Sequence, residues 1–196
     1  MLSKNKKGMS LIEMIIAIAI FTIGIEGFSL LFVKTWKQNS FILEKGTASM
    51  AASRGAQKTV DVIRKARQAD NGAYPIVSAN ENDLVIYSDI DKDGVTERVH
   101  YYLDSGTLKA GITDPAGAPP AYPAGDQTVN DVSRYVVNAS APVFSYYDSD
   151  NNLLTAPVNA NEVRMVKVHL ETNVNPVHFP NNVDIQSFAT IRNLKN

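Results

Sequence analysis

The chain has 196 residues, 44% of them hydrophobic, with a formal net charge of −1, 11 glycines, 9 prolines and no cysteine. These values exclude a disordered, collagenous or low-complexity chain and fit one domain plus an appendage. Without cysteine there are no disulfides, zinc–thiolate sites, iron–sulfur clusters or thiol nucleophiles. The near-neutral charge removes the default case for nucleic-acid binding.

Lys4, Lys6 and Lys7 form a short basic leader that ends at Gly8. Residues 11–33 follow as an apolar run broken only by Glu13, Thr22, Gly24, Glu26, Gly27 and Ser29. As a helix rising about 1.5 Å per residue, the run is about 35 Å long, enough for a bilayer core of about 30 Å. The leading lysines place the N-terminus in the cytoplasm. Lys34, Trp36 and Lys37 read as an interfacial anchor on the far side. A cleaved secretory signal has a shorter apolar region, about 7–15 residues, and a small-residue cut site; Gly24-Ile25-Glu26 is a poor one. A plain single-pass anchor fits the length but leaves Glu13 unexplained. A carboxylate at that depth costs on the order of a few kcal/mol in lipid, so intramembrane ionisable groups are functional candidates.

The phrase Lys6-Lys7-Gly8-Met9-Ser10-Leu11-Ile12-Glu13-Met14 resembles the N-terminus of type IV prepilins and pseudopilins. The shared elements are a basic leader, glycine at the cut, a hydrophobic first residue and glutamate as the fifth mature residue. The resemblance covers residues 6–33. It implies that a membrane prepilin peptidase cuts between Gly8 and Met9 on the cytoplasmic side, after which the Met9 amine is methylated. A side chain at position 8 would crowd the protease. It also implies that Glu13 is the assembly carboxylate, meeting the cationic amine of a neighbouring subunit's first residue, since a carboxylate in lipid is tolerable when paired with a cation. Met9 departs from the phenylalanine commonest at that place. Glu26 lies about 140° around the helix from Glu13 and about 20 Å further along. It reads either as an interfacial glutamate reaching water or as a second assembly contact.

Residues 36–69 contain no proline, carry spaced apolar residues (Phe41, Ile42, Met50, Val60, Ile63, Ala66) and stop at Asn71-Gly72. One helix is therefore expected over 10–69, about 90 Å long. Gly46 and Gly55 weaken it but allow close packing. Arg54, Lys58, Arg64, Lys65 and Arg67 read as a solvated face or an anionic contact. After Pro75 the period changes to two. Leu84-Val85-Ile86-Tyr87 and Val99-His100-Tyr101-Tyr102-Leu103 flank Asp-Lys-Asp-Gly as a hairpin. Thr107-Leu108-Lys109, Tyr135-Val136-Val137, Val143 through Tyr147, 163–174 and 183–194 are further expected strands, with an irregular loop over 111–130. In 163–174, Val166, Val168 and Leu170 face one way and Lys167, His169 and Glu171 the other. The class is α+β: a long N-terminal helix packed on a C-terminal antiparallel β-sheet domain. The expected division is leader 1–8, transmembrane helix 9–33, amphipathic continuation 34–70 and exported β-rich domain 71–196. The phrase running from Tyr101 to Lys109 and the order of strands look like J-type minor pseudopilins and PilW-like minor pilins.

Asp89, Asp91, Asp93 and Gly94 form D-x-D-x-D-G, the opening of a calcium loop, with Glu97 the nearest further acid. Position 12 of that loop is His100 where an EF-hand has glutamate, and strands flank it instead of helices. The alternative is an acidic turn whose Asp-Gly makes the bend. Asp148 and Asp150 form a similar acidic turn. His100, His169 and His178 fall in no metal-binding spacing, and no nucleophile elbow or P-loop is present, so no enzyme and no resident cofactor are expected. Loss of residues 1–8 removes three lysines and no acid, making the exported chain more negative and arguing against general DNA binding. The expected product is a structural subunit of a type IV pilus (fimbrium) or type II protein-secretion pseudopilus. Its partners would be the prepilin peptidase, other pilin or pseudopilin subunits, the inner-membrane assembly platform and, before assembly, the lipid bilayer, with no nucleic acid. It would sit as a single-pass protein of the bacterial inner membrane with its sheet domain outside. The alternative is a membrane-tethered β-rich binding domain holding calcium at 89–97.

Overall fold

A computed structural model describes residues 8–138, 140–175 and 182–194. Lys4, Lys6 and Lys7 of the leader, and His178, lie outside the described residues. The chain divides into two compact units, Met1–Leu43 and Glu44–Asn196. A single helix, α1 (Leu11–Arg64), contributes to both.

In the first unit every described residue except Phe41 is exposed. Large apolar side chains stand out on all sides of the helix, from Leu11, Ile12 and Ile15 through Phe21 and Ile23 to Leu30 and Phe32. Its most apolar 18-residue window has a mean hydropathy of 2.3 and none of it is buried. A helix apolar all round is at home in lipid or inside a bundle, not on a water-exposed surface. This one is long and apolar enough to cross a membrane.

In the second unit the helix changes character. Ala48, Ala52, Gly55, Ala56, Thr59, Val60 and Ile63 are buried, at the three- and four-residue spacing that keeps one face of a helix inward. The inward residues near its start are small, so the sheets approach the helix backbone closely. Strand hydroxyls use that approach: Ser133 Oγ donates to the Ala51 carbonyl (3.1 Å) and Thr172 Oγ1 to the Ala48 carbonyl (3.0 Å). The helix ends at Arg64 and not near 69 as expected. Lys65 and Ala66 close it with three-residue turns, and the Arg67 N–H then donates to the Tyr87 carbonyl. Competition from a strand edge thus stops a helix that the local sequence would continue.

The strands are β1 (Ile76–Asn80), β2 (Asp83–Ser88), β3 (Glu97–Asp104), β4 (Thr107–Thr113), β5 (Thr128–Ser133), β6 (Phe144–Tyr147), β7 (Leu153–Leu154), β8 (Met165–Thr172) and β9 (Val183–Thr190). They form two antiparallel sheets, a five-stranded meander β1-β2-β3-β4-β5 and a four-stranded sheet β7-β6-β8-β9. The α+β class stands, with two sheets in place of a single one. The inward faces, Leu84 and Ile86, Val99 and Tyr101, Phe144 and Tyr146, Val166, Val168 and Leu170, share one apolar core with the small residues of α1. Two expectations change. Tyr135-Val136-Val137 is no strand: Tyr135 takes a φ of 64° and Val136 makes only an isolated bridge with Thr172. The expected loop over 111–130 shrinks, because β4 extends through Thr113 and β5 begins at Thr128.

Candidate functional site

The residues singled out for processing and assembly gather at the start of α1. Gly8, Met9 and Ser10 precede the helix as exposed chain, and Met9 is 73% exposed. A side chain built at Gly8 would meet nothing within 4 Å among the described residues.

Ser10 caps the helix. Its carbonyl accepts the Met14 N–H (3.2 Å), the first bond of the helical ladder. Its hydroxyl oxygen accepts the Glu13 N–H (3.4 Å), while the Ser10 N–H and Oγ–H donate to Glu13 Oε2 (2.7 and 3.0 Å). Ser10-x-x-Glu13 is thus a capping box, in which serine and glutamate satisfy each other's orphan amides. Glu13 has this local role besides any in assembly, and S-x-x-E before an apolar run signals it. Glu26 is exposed, and Gly24 and Gly27 beside it have open space around their Cα atoms.

Residues 3–25 match the family model described as the prokaryotic N-terminal methylation motif. No curated protein matches the chain. The motif supports a type IV pilin-like or pseudopilin-like subunit, and a motif of this kind implies processing by a prepilin peptidase and assembly with other pilins. Such a motif indicates a structural family, and the apolar helix that follows it is compatible with anchorage in the inner membrane. The matched residues end inside the apolar helix and do not reach the sheets.

The second group lies in the turn after β2 and at the first residue of β3. Asp89, Asp91 and Glu97 each bring a carboxylate oxygen within 4.8 Å of the others. Asp93, the fourth residue of the expected calcium set, stands outside that group. Its Oδ1 accepts the Val95 N–H at 2.8 Å. Asp89 Oδ1 likewise accepts the Lys92 N–H (2.6 Å) and Asp91 Oδ1 the Asp93 N–H (3.2 Å). The acids therefore tie the backbone of the turn, whose Lys92 and Gly94 have φ of 68° and 96°. A cation already faces them. Arg67 lies 3.4 Å from Asp89 Oδ2 and donates to Thr96 Oγ1 (2.7 Å) and the Gly94 carbonyl (2.6 Å). Burial pushes the Glu97 carboxyl above its ordinary value, and Asp91 and Asp89 push the same way, against the Ile90 N–H it accepts at 2.8 Å.

Asp148 organises its own turn, accepting the Asp150 and Asn152 N–H groups at 2.8 Å each. His100 is held by carboxylates on both sides, Asp83 Oδ2 at 2.7 Å from Nε2 and Asp126 Oδ2 at 3.1 Å from Nδ1. His169, expected on a strand face, is buried on β8.

Proposed function

We propose that this chain is a structural subunit, a minor pilin or pseudopilin of the J-type or PilW-like kind, of a type IV pilus or type II secretion pseudopilus. The observation that carries the proposal is the basic leader, Gly8, Met9 and Glu13 in that order, at the mouth of a helix whose apolar side chains are exposed on every side. Before assembly the helix spans the cytoplasmic membrane once, leader inside and sheets outside. The prepilin peptidase cuts between Gly8 and Met9, and the new Met9 amine is methylated. Assembly then replaces lipid around the helix with neighbouring helices, which the assembly platform brings together.

Glu13 acts twice in this scheme. Its Oε2 holds the Ser10 amide and hydroxyl, leaving the second carboxylate oxygen to face a neighbour's Met9 amine. A charged pair at low dielectric is favourable only when both partners are present, so the contact sets axial register without holding unassembled subunits together. Absence of cysteine, and hence of a disulfide-closed C-terminal loop, favours a minor over a major subunit.

The test is the N-terminal residue and mass of the protein taken from membranes with and without the host's prepilin peptidase. A methylated Met9 start that depends on the peptidase is the expected result; an intact Met1 in both strains overturns it. A second reading, a membrane-tethered β-rich domain that binds calcium, rests on the proximity of Asp89, Asp91 and Glu97. A tether needs no cut at Gly8, so the same measurement separates the two.

A further inference from the structure

A further cluster of titratable side chains lies away from the helix start and the acidic turn. On the four-stranded sheet, β8 and β9 pair so that Glu171 lies directly opposite Asp184 and His169 opposite Gln186. His169, Glu171 and Asp184 therefore share one face of the ladder, two strand positions apart or directly across. Two carboxylates facing each other across a strand pair repel and destabilise it unless a cation lies between them. The histidine beside them is only 7% exposed, and its Nε2 is fully buried with no hydrogen-bond partner among the described residues. That nitrogen points into the carboxylates: Asp184 Oδ2 lies 3.1 Å away and Glu171 Oε1 3.8 Å. A buried nitrogen set against two carboxylates without a hydrogen bond calls for an explanation.

We propose that His169 Nε2, Glu171 and Asp184 form a binding site for a divalent transition-metal ion of the zinc class. The spacing supports this. Ligand atoms about 2.0–2.1 Å from a tetrahedral zinc lie about 3.3 Å apart, between the two separations seen here. All three ligand atoms fall within 4.8 Å of one another, and the set includes an imidazole. Imidazole with carboxylates suits zinc and its neighbours, whereas calcium takes oxygen ligands. The surroundings orient the ligands as outer-shell groups do. Asn182 Nδ2 donates to Glu171 Oε2 and Gln186 Nε2 to Asp184 Oδ1 (3.4 Å each), leaving the other oxygen of each carboxylate towards the histidine. Asn138 fixes the β8 backbone on both sides of the site, donating to the His169 carbonyl (2.9 Å) and accepting the Glu171 N–H (2.8 Å). Asp184 is half exposed, which gives an ion and its completing waters a way in. Bound there, the ion clips β9 to β8.

The experiment uses the full chain in detergent, without a polyhistidine tag and stripped with a chelator, titrated calorimetrically with Zn²⁺ and with Ca²⁺. One Zn²⁺ per chain is expected, with a rise in the thermal midpoint and no matching effect of Ca²⁺. Asp184→Asn and Glu171→Gln, near-isosteric and away from the core, are expected to fold with an unchanged circular dichroism spectrum and bind Zn²⁺ at least about 10-fold more weakly. Co²⁺ in place of Zn²⁺ is expected to give a visible absorption band that Asp184→Asn abolishes. Zn²⁺ binding well below one per chain, or equal binding by the wild type and both folded variants, overturns the site.

Discussion

Gly55 of α1 lies so close to Ser133 of β5 that a methyl group at position 55 would sit 2.5 Å from the Ser133 Cβ. A Cβ cannot swing away as a side-chain tip can, so Gly55→Ala must move a strand or the helix. Overpacking of this kind costs about 1–3 kcal/mol, set against about 1 kcal/mol gained from alanine's helix propensity. The strand wins because Ser133 is also anchored to the Ala51 carbonyl. Gly55→Ala is expected to lower the thermal midpoint of the detergent-solubilised chain. Gly46→Ala, with nothing within 4 Å, is expected to leave it unchanged or raise it. Equal effects at both positions would show that the close approach does not constrain the fold.

Arg67 links the end of the helix to the acidic turn through Asp89, Thr96 and Gly94. Removing a charged donor from such partners costs about 1–3 kcal/mol, so Arg67→Ala is expected to destabilise the chain. Arg67→Lys should recover only part of the loss, because an ammonium cannot reproduce the guanidinium fork. With this cation already against Asp89, millimolar Ca²⁺ is expected to leave the wild-type unfolding midpoint where it is. A calcium-dependent rise that Asp91→Asn removes would put the tethered calcium-binding reading first.

The sequence showed its apolar helix because membrane-length hydrophobicity is a property of composition, and it showed β2, β3 and β8 because their inward residues alternate. It did not show β5. Thr128–Ser133 is largely exposed and polar, so no period marks it, and its place comes from pairing with β4 and from the contact with Gly55. The early end of α1 was hidden for a similar reason, since the competing acceptor, the Tyr87 carbonyl, is 20 residues further along the chain. At the candidate processing site the motif was legible and the Ser10–Glu13 capping box went unread beside it. The His169 cluster needs the β8–β9 register, which places Asp184 opposite Glu171, and spacing alone does not encode that.

Glu97 gives the turn a pH dependence. Its folded carboxyl is raised by burial, and by Asp91 and Asp89, despite the bond from Ile90 N–H. Between its unfolded and folded values the native state holds a proton that the unfolded chain has lost. Stability is therefore greatest below that window and falls as pH rises through it. Glu97→Gln keeps an acceptor for Ile90 and removes the ionisation. The variant is expected to unfold at a higher temperature than the wild type at pH 7, with the difference shrinking as pH falls towards the ordinary glutamate range. A difference that stays constant across that range would remove Glu97 as its source.

The capping box and the assembly contact make separable demands on Glu13. Glutamine at position 13 still offers a carbonyl oxygen to the Ser10 amide, so helix initiation survives, but it has no charge for a neighbour's amine. Alanine loses both, whereas Ser10→Ala loses the hydroxyl and keeps the carboxylate. If the carboxylate serves assembly, peptidase cleavage persists in all three variants, and incorporation into sheared fibres or into a cross-linkable pseudopilus fails in Glu13→Gln and Glu13→Ala alone. Ser10→Ala, with only a weakened cap, is expected to incorporate. The opposite pattern, normal incorporation of Glu13→Gln with failure of Ser10→Ala, would reduce Glu13 to a helix cap whose charge is incidental. Counting cleaved and incorporated chains in the same cells distinguishes the outcomes, because in the proposed scheme the cut at Gly8 precedes assembly.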